Sequence, residues 1–317
     1  MMIAKSIKEA YSKKGYKGIL RYLAQRLVGF EQLEDQVNTN HYILNHYLDI
    51  QKFSNFDENL CNLQKADTLL LMIVDATCKK FGFEYWCDGG TYLGAVRHKG
   101  FIPWDDDLDI CMMRDTYENA RPVLNEFLKQ YGIEAAEDKT IGRFGIGYKH
   151  ADTGVWLDLL PAEYTTVDVD DTEVKNDFIN RCYKYQRIWQ KKRKNLTRDE
   201  AFLLRKKYLP EICEKRIAKS IVYCPEEGGA QRIWKITDIL PTQLVMFEQW
   251  KVRGPRNEWA YLSQYYGEDY MYFPKTGVEH HGDDKGRLSS WANKSGTDMN
   301  AIIEELESIL KKIVNDR

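Results

Sequence analysis

Hydrophobic and polar residues alternate with two different periods along this chain, and each change of period marks an element. From Glu58 to Phe81, the residues Leu63, Leu70, Ile73, Val74 and Phe81 form one stripe at helical spacing, with Gln64, Lys65, Thr68, Asp75 and Lys79 turned away. This predicts a core helix that stops at Gly82. Phe83-Glu84-Tyr85-Trp86 has strand character, Gly89-Gly90-Thr91 predicts a turn, and Tyr92-Leu93-Gly94-Ala95-Val96 predicts the opening of a helix. Leu108, Ile110 and Met112 then alternate with Asp107, Asp109 and Cys111, the period of two of a half-buried strand. Asp107 and Asp109 therefore share a face.

Farther along, Asp115 can cap a helix carrying Tyr117, Leu124, Phe127, Leu128 and Tyr131. Pro122 lies inside it, where proline costs about 3 kcal/mol, so a start near Pro122 is the alternative. Ile141–Lys149 and Val155–Leu160 read as a hairpin around Asp152-Thr153-Gly154, with Leu157 and Leu159 on one face and Trp156 and Asp158 on the other. Asp168 to about Arg232 is highly charged and helical, its basic run Gln190–Lys194 a solvated face. A helical piece begins near Glu258 and ends at Gly267. Thr297 or Asp298 caps a last helix with Ile302, Ile303, Leu306, Leu310 and Ile313 as its docking stripe.

Composition narrows the setting. With 317 residues and 43% hydrophobic content the chain can bury one good core or two modest ones, and a net charge of −2 argues against nucleic acid as a partner. No apolar run approaches the roughly 20 residues that span a bilayer, and residues 1–30 lack the apolar core of a signal peptide. Seven cysteines without paired spacing suit a reducing compartment, so a cytoplasmic protein is expected. Residues 1–30 are basic and amphipathic. A solvated terminal helix is expected there, with peripheral contact with an anionic membrane, at the inner face, as the alternative.

The candidate chemistry centres on Trp86–Arg114. Two carboxylates on one strand face repel each other unless solvent or a cation screens them, and hard oxygen donors suit Mg²⁺ or Mn²⁺ bridging to substrate phosphates. A solvated acidic turn is the alternative. A strand, the Gly89-Gly90-Thr91 turn and a helix start present backbone N–H groups to an anion, and Arg97, His98 and Lys99 add cationic donors.

That order is the logic of nucleotidyltransferase-like folds. The run from Gly90 to Ile110, GTYLGAVRHKGFIPWDDDLDI, closely resembles the signature of the LicD family, phosphotransferases that include bacterial phosphocholine transferases and are related to fukutin-related proteins. Trp156–Pro161 resembles the family's second motif and Tyr261–Pro274 its closing one. The resemblance implies an α+β fold with a nucleotidyltransferase-like core, a mixed sheet flanked by helices, and added helical segments. The expected organisation is a basic helical region at 1–57, the catalytic core at 58–165, a charged helical insertion at 166–235, and a completing segment at 236–317.

On that resemblance Asp107, Asp109 and Asp158 hold Mg²⁺ (or Mn²⁺), with Asp105 and Asp106 as neighbours or turn residues. Gly89, Gly90 and Thr91 cradle phosphate, and Arg97 and Lys99 neutralise developing charge. One of the carboxylates, or His98, accepts the proton of the attacking hydroxyl. Trp104 and Trp156, with Tyr85 and Trp86, are candidates for an aromatic cage around a choline head group, or for core or base-stacking positions. Tyr266, Gly267 and Asp269 shape the pocket. The implied reaction moves phosphocholine from a cytidine diphosphate (CDP)-activated donor to a hydroxyl of a cell-surface glycan or glycolipid: lipopolysaccharide, teichoic acid or capsule. CDP-ribitol or CDP-glycerol donors, template-independent nucleotidyl transfer, and a non-catalytic nucleotide-binding scaffold are the rivals. His280-His281 with Asp283-Asp284 is expected to be a polar loop.

Overall fold

The computed structural model describes residues 33–52, 58–138, 143–148, 153–226, 232–274 and 298–315. The basic segment 1–30 and the His280-His281 loop lie outside the described residues. The chain divides into two compact units, Met1–Ile50 with Met271–Val278, and Gln51–Tyr270 with Glu279–Arg317. In the first, a helix over residues 33–47 (α1) grips the segment 271–274. His41 Nε2 donates to the Phe273 carbonyl (2.7 Å), and the Phe273 N–H donates to Asn45 Oδ1 (2.8 Å).

The second unit is built on α2 (Glu58–Phe81), and its burial corrects the predicted stripe. Thr68 and Asp75, expected to face water, are buried, whereas Phe81 is 39% exposed. The reason is that α2 is covered on several sides, by α9 (Met299–Asn315), by α4 (Arg114–Lys129) and by β5 (Trp156–Thr165). Buried Asp75 accepts from the Tyr85 hydroxyl (2.8 Å) and from Lys79, which satisfies its carboxylate oxygens. Asp298 caps α9 as expected, accepting from Asn300 N (3.0 Å), and Ile302, Leu306, Leu310 and Ile313 form its buried face.

The sheet is mixed and runs β1–β2–β5–β4–β3, with β6 and β7 added alongside β5. Its strands are β1 (Trp86–Cys87), β2 (Asp109–Met113), β3 (Ile133–Asp138), β4 (Arg143–Tyr148), β5, β6 (Ser220–Tyr223) and β7 (Ile233–Lys235). Only the β2–β5 pairing among them is parallel. The architecture is α+β. The hairpin of β4 and β5 forms as predicted, but β5 runs through Pro161 instead of ending there. Pairing with β4 stops at Leu159 and pairing with β6 begins at Ala162, so Pro161 falls where β5 changes partners and its missing N–H breaks no bond on that side.

Three further expectations change. β1 is shorter than the predicted aromatic strand, and α3 (Gly89–Arg97) begins at the glycine pair itself. α4 starts directly after β2 and carries Pro122 in its interior, with the cost offset by burial of Tyr117, Ala120, Leu124 and Leu128. The charged stretch after Asp168 does form α5 (Thr172–Lys192) and α6 (Arg198–Tyr208), yet it also supplies β6 and β7. Phe178, Cys182 and Tyr185 of α5 pack with Val222 and Ile233 of those strands. The short α7 (Ile236–Ile239), the ribbon of β8 (Gln243–Phe247) and β9 (Trp250–Gly254), and α8 (Glu258–Tyr266) complete the unit. Gly267 ends α8 at φ +87°, as the glycine predicted.

Candidate active site

The site is framed where α3, β2 and β5 meet. The Asp88 N–H donates to the Asp109 carbonyl (2.9 Å), and the Asp109 N–H donates to the Thr91 hydroxyl (2.8 Å), so the start of α3 is tied to the start of β2. Asp109 stands in register with Asp158 across the parallel pair, which turns both carboxylates to one face of neighbouring strands. The position of β5 is fixed from behind by buried Asp67 of α2, which accepts the Trp156 N–H (3.0 Å). Trp156 Nε1 in turn donates to Asp158 Oδ1 (2.6 Å). The indole lies flat on β4 because Gly145 and Gly147 have no side chains; a Cβ there would sit 1.8 and 2.5 Å from its ring.

The run before β2 adds more negative charge. Gln64 of α2 holds it by donating to the Asp105 carbonyl (2.8 Å) and the Ile102 carbonyl (3.3 Å). The Asp105 carboxyl reaches the first turn of α3, within 2.7 Å of where a Cβ on Gly90 would stand. Burial, then the charge of Asp107 and a hydrogen bond shared with it, pushes the Asp105 carboxyl well above the usual carboxylate range. The strand proper begins at Asp109, so Asp107 belongs to this approach rather than to β2. Asp106 is buried beside them.

A hard divalent cation suits this donor set in kind, because every side-chain donor is a carboxyl oxygen. A small cradle is present as well. Gly89 has φ +45°, and the point its Cβ would occupy lies 3.7 Å from Asp109 Oδ2, 3.7 Å from the Tyr266 hydroxyl and 3.8 Å from Tyr265 Cε1. Among the described residues no three carboxylate, imidazole or thiol groups already converge as a finished metal cage. What the fold brings together is the in-register pair Asp109–Asp158 and the adjoining pair Asp105–Asp107.

The basic triplet is placed differently. Arg97 is buried, with Nη1 donating to the Tyr270 carbonyl (2.8 Å) and Nε donating to His98 Nε2 (3.0 Å). Burial lowers Arg97 to about 10. Burial, then the charge of Arg97, lowers His98 to about 4, so its ring is neutral at pH 7, and the bond from Arg97 assigns its proton to Nδ1. Lys99 is exposed, and its Nζ donates to the Val96 carbonyl (3.0 Å). Trp104 meets His98 edge-on at 6.3 Å, and Asp269 lies in the exposed turn after α8.

Two residues escaped the sequence reading. Asp88 is buried at the N-cap of α3 and accepts from the hydroxyls of Tyr261 and Tyr265, the latter at 2.8 and 3.0 Å. Burial raises its carboxyl, opposed by those two hydroxyls and by the charge of Arg232. An aspartate just ahead of Gly89 was an available capping signal. Arg232, by contrast, lies in the charged stretch far along the chain, and no pattern marks it. Its guanidinium lies 3.7 Å from the Tyr265 ring centroid, and Trp234 stacks on Tyr261 (4.6 Å) and Tyr265 (5.8 Å).

Residues 82–210 match the family described as LicD/FKTN/FKRP, nucleotidyltransferase domain. The chain is 44% identical over 80 residues to the lipopolysaccharide cholinephosphotransferase LicD of Haemophilus influenzae, covering 24% of this chain and 30% of that protein. It is 55% identical over 29 residues to the human ribitol 5-phosphate transferase FKRP, covering 9% of this chain and 6% of the relative. An uncharacterised protein of Rickettsia typhi is 45% identical over 60 residues, 19% of each chain. The chain spans less than a third of the length of each of these relatives.

Proposed function

We propose that this chain, which belongs to the LicD family through its residues 82–210, is a phosphotransferase that moves a phospho-alcohol group from a CDP-activated donor to a hydroxyl of a cell-surface glycan. The observation that carries this reading is the in-register pair Asp109–Asp158 beside the Asp105–Asp107 pair, with Asp105 and Asp109 against the first turn of α3. On this reading the domain is nucleotidyltransferase-like, and Asp107, Asp109 and Asp158 would hold Mg²⁺ (or Mn²⁺). A bound divalent ion supplies charge that screens the donor diphosphate and the departing cytidine monophosphate.

The chain's own groups do the rest. Trp156 orients the Asp158 carboxylate, and the first turn of α3 directs backbone N–H groups toward the phosphates. The proton of the acceptor hydroxyl goes to a carboxylate rather than to His98, whose Nε2 is engaged by Arg97 and whose other ring nitrogen carries the proton.

The head group is the finer question. Of the four aromatic cage candidates, Tyr85 and Trp86 are buried in the core, Tyr85 bonded to Asp75 and Trp86 to the Tyr261 hydroxyl (3.3 Å). Only Trp104 and Trp156 of that set remain for a quaternary ammonium, an observation that favours a polyol head group, ribitol or glycerol phosphate, as the second reading. No helix among the described residues is long and apolar enough to cross a membrane.

The test is Mg²⁺-dependent release of cytidine monophosphate from CDP-choline, CDP-ribitol and CDP-glycerol, each with lipopolysaccharide and teichoic acid acceptors. Release from one donor, dependent on acceptor and abolished by chelation, is expected. Silence with every donor and acceptor would refute phosphotransfer from a CDP-alcohol.

A further inference from the structure

The described cations that the sequence placed near the phosphates, Arg97 and Lys99, are spent on the Tyr270 and Val96 carbonyls. Arg232 lies on Tyr265, the ring that reaches the Gly89 cradle beside Asp109. Its described side-chain contacts are aromatic, the face of Tyr265 at 3.7 Å and that of Tyr223 at 5.4 Å, and its buried Nε has no hydrogen-bond partner. The same Tyr265 ring reaches the Gly89 cradle at Cε1, where Asp109 Oδ2 and the Tyr266 hydroxyl also arrive. Stacking of a planar guanidinium on a tyrosine holds it flat and leaves its N–H edge for an anion. A carboxylate and a guanidinium that meet the same tyrosine ring are complementary parts of a site for a metal–diphosphate.

We propose that Arg232, carried at the entrance to β7 and levelled by Tyr265, binds the diphosphate of the donor across the Gly89 cradle from Asp109. That the anion is a nucleoside diphosphate rests on the phosphotransfer reading; that the pocket takes a diphosphate does not. The competing role is structural, a cation that merely balances the buried charge of Asp88. In that role Arg232 governs folding, and anion affinity is indifferent to it.

The experiment is calorimetric titration of the full chain, in magnesium buffer, with inorganic pyrophosphate and with CDP, for wild type, Arg232→Gln and Arg232→Lys. Thermal midpoints are recorded without ligand. Arg232→Gln is expected to weaken pyrophosphate and CDP by about tenfold or more, the scale of losing a charge-assisted bidentate contact. Arg232→Lys, which keeps the charge and loses the fork, is expected to fall between, and it carries the test if the Gln variant does not fold. Absence of pyrophosphate binding by wild type, or binding within about twofold of wild type by the folded variants, overturns the proposal. If pyrophosphate binding depends on Arg232 while no CDP-alcohol is turned over, the anion site stands and the phosphotransfer reading falls.

Discussion

The parallel strands β2 and β5 carry charged clusters at both ends, arginines interleaved with carboxylates at one end and carboxylates beside carboxylates at the other. Just past the C-terminal end of β2, Arg114 Nε donates to Glu163 of β5 (2.6 Å) and its Nη2 to Glu226 (2.9 Å), and Arg205 of α6 lies 3.2 Å from Glu163 and 3.3 Å from Glu226. Tyr185 adds its hydroxyl to Glu226 (3.1 Å). Arg114 also lies 4.0 Å from Glu118, so two guanidinium groups meet three carboxylates. At the N-terminal ends of the same strands Asp105, Asp106, Asp107, Asp109 and Asp158 come together, and Arg232 stacks on Tyr265 at the Gly89 cradle. Removing one partner of a buried ion pair destabilises a fold, whereas carboxylates crowded at one place mark a candidate functional site.

Substitutions separate the two ends. Asp109→Asn is expected to lower cytidine monophosphate release by about 10²–10³-fold, the scale of losing one preorganised electrostatic group. Its thermal midpoint should hold or rise, because a like-charge neighbour is removed. Glu226→Gln should do the reverse, costing about 3 kcal/mol in denaturant unfolding by removing the buried carboxylate that Arg114 and Arg205 share, while activity per folded molecule is kept. Equal effects on stability from both variants would erase the distinction.

Acid sensitivity sharpens it. Burial pushes Glu226 up, but Arg114 and then Arg205 outweigh burial and hold it at about 2, below the roughly 4.3 of a free glutamate. A carboxylate depressed in the folded state contributes stability above its unfolded value and loses it as pH falls toward the folded one. Unfolding followed between pH 5 and 2 should therefore show a stability loss that Glu226→Gln lacks.

Smaller effects probe the site's supports. Trp156→Phe keeps a ring over Gly145 and Gly147 and removes the donor to Asp158. It should raise the Mg²⁺ concentration for half-activity by about tenfold, the low end for loss of a supporting hydrogen bond. His98→Gln should change turnover by about twofold or less; a hundredfold loss would return the proton-acceptor role to the imidazole.

What the sequence disclosed, and what it concealed, follows from range. The alternation at Asp109, the aspartate of β5, the glycine after α8 and the stripe of α9 are local patterns, written within a few residues of where they act. Thr68 and Asp75 misled because a helix stripe reports one covered side, and α2 is covered on several. Pro122 misled because packing of a whole helix face outweighs one broken backbone bond. Arg232 was invisible because its meaning depends on Tyr265 and Asp88, to which only the folded sheet introduces it.

The pair of tyrosine hydroxyls on Asp88 also fixes when, during synthesis, the pocket can exist. The family match closes at residue 210, before β6, β7 and α8 have been made. A ribosome that has released only that much chain has produced every proposed metal ligand but neither the guanidinium nor the two phenols that enclose the helix start. The segment matched to the family model thus ends before the last parts of the pocket are made. A chain stopped at residue 210 should keep the aspartates and fail to bind pyrophosphate.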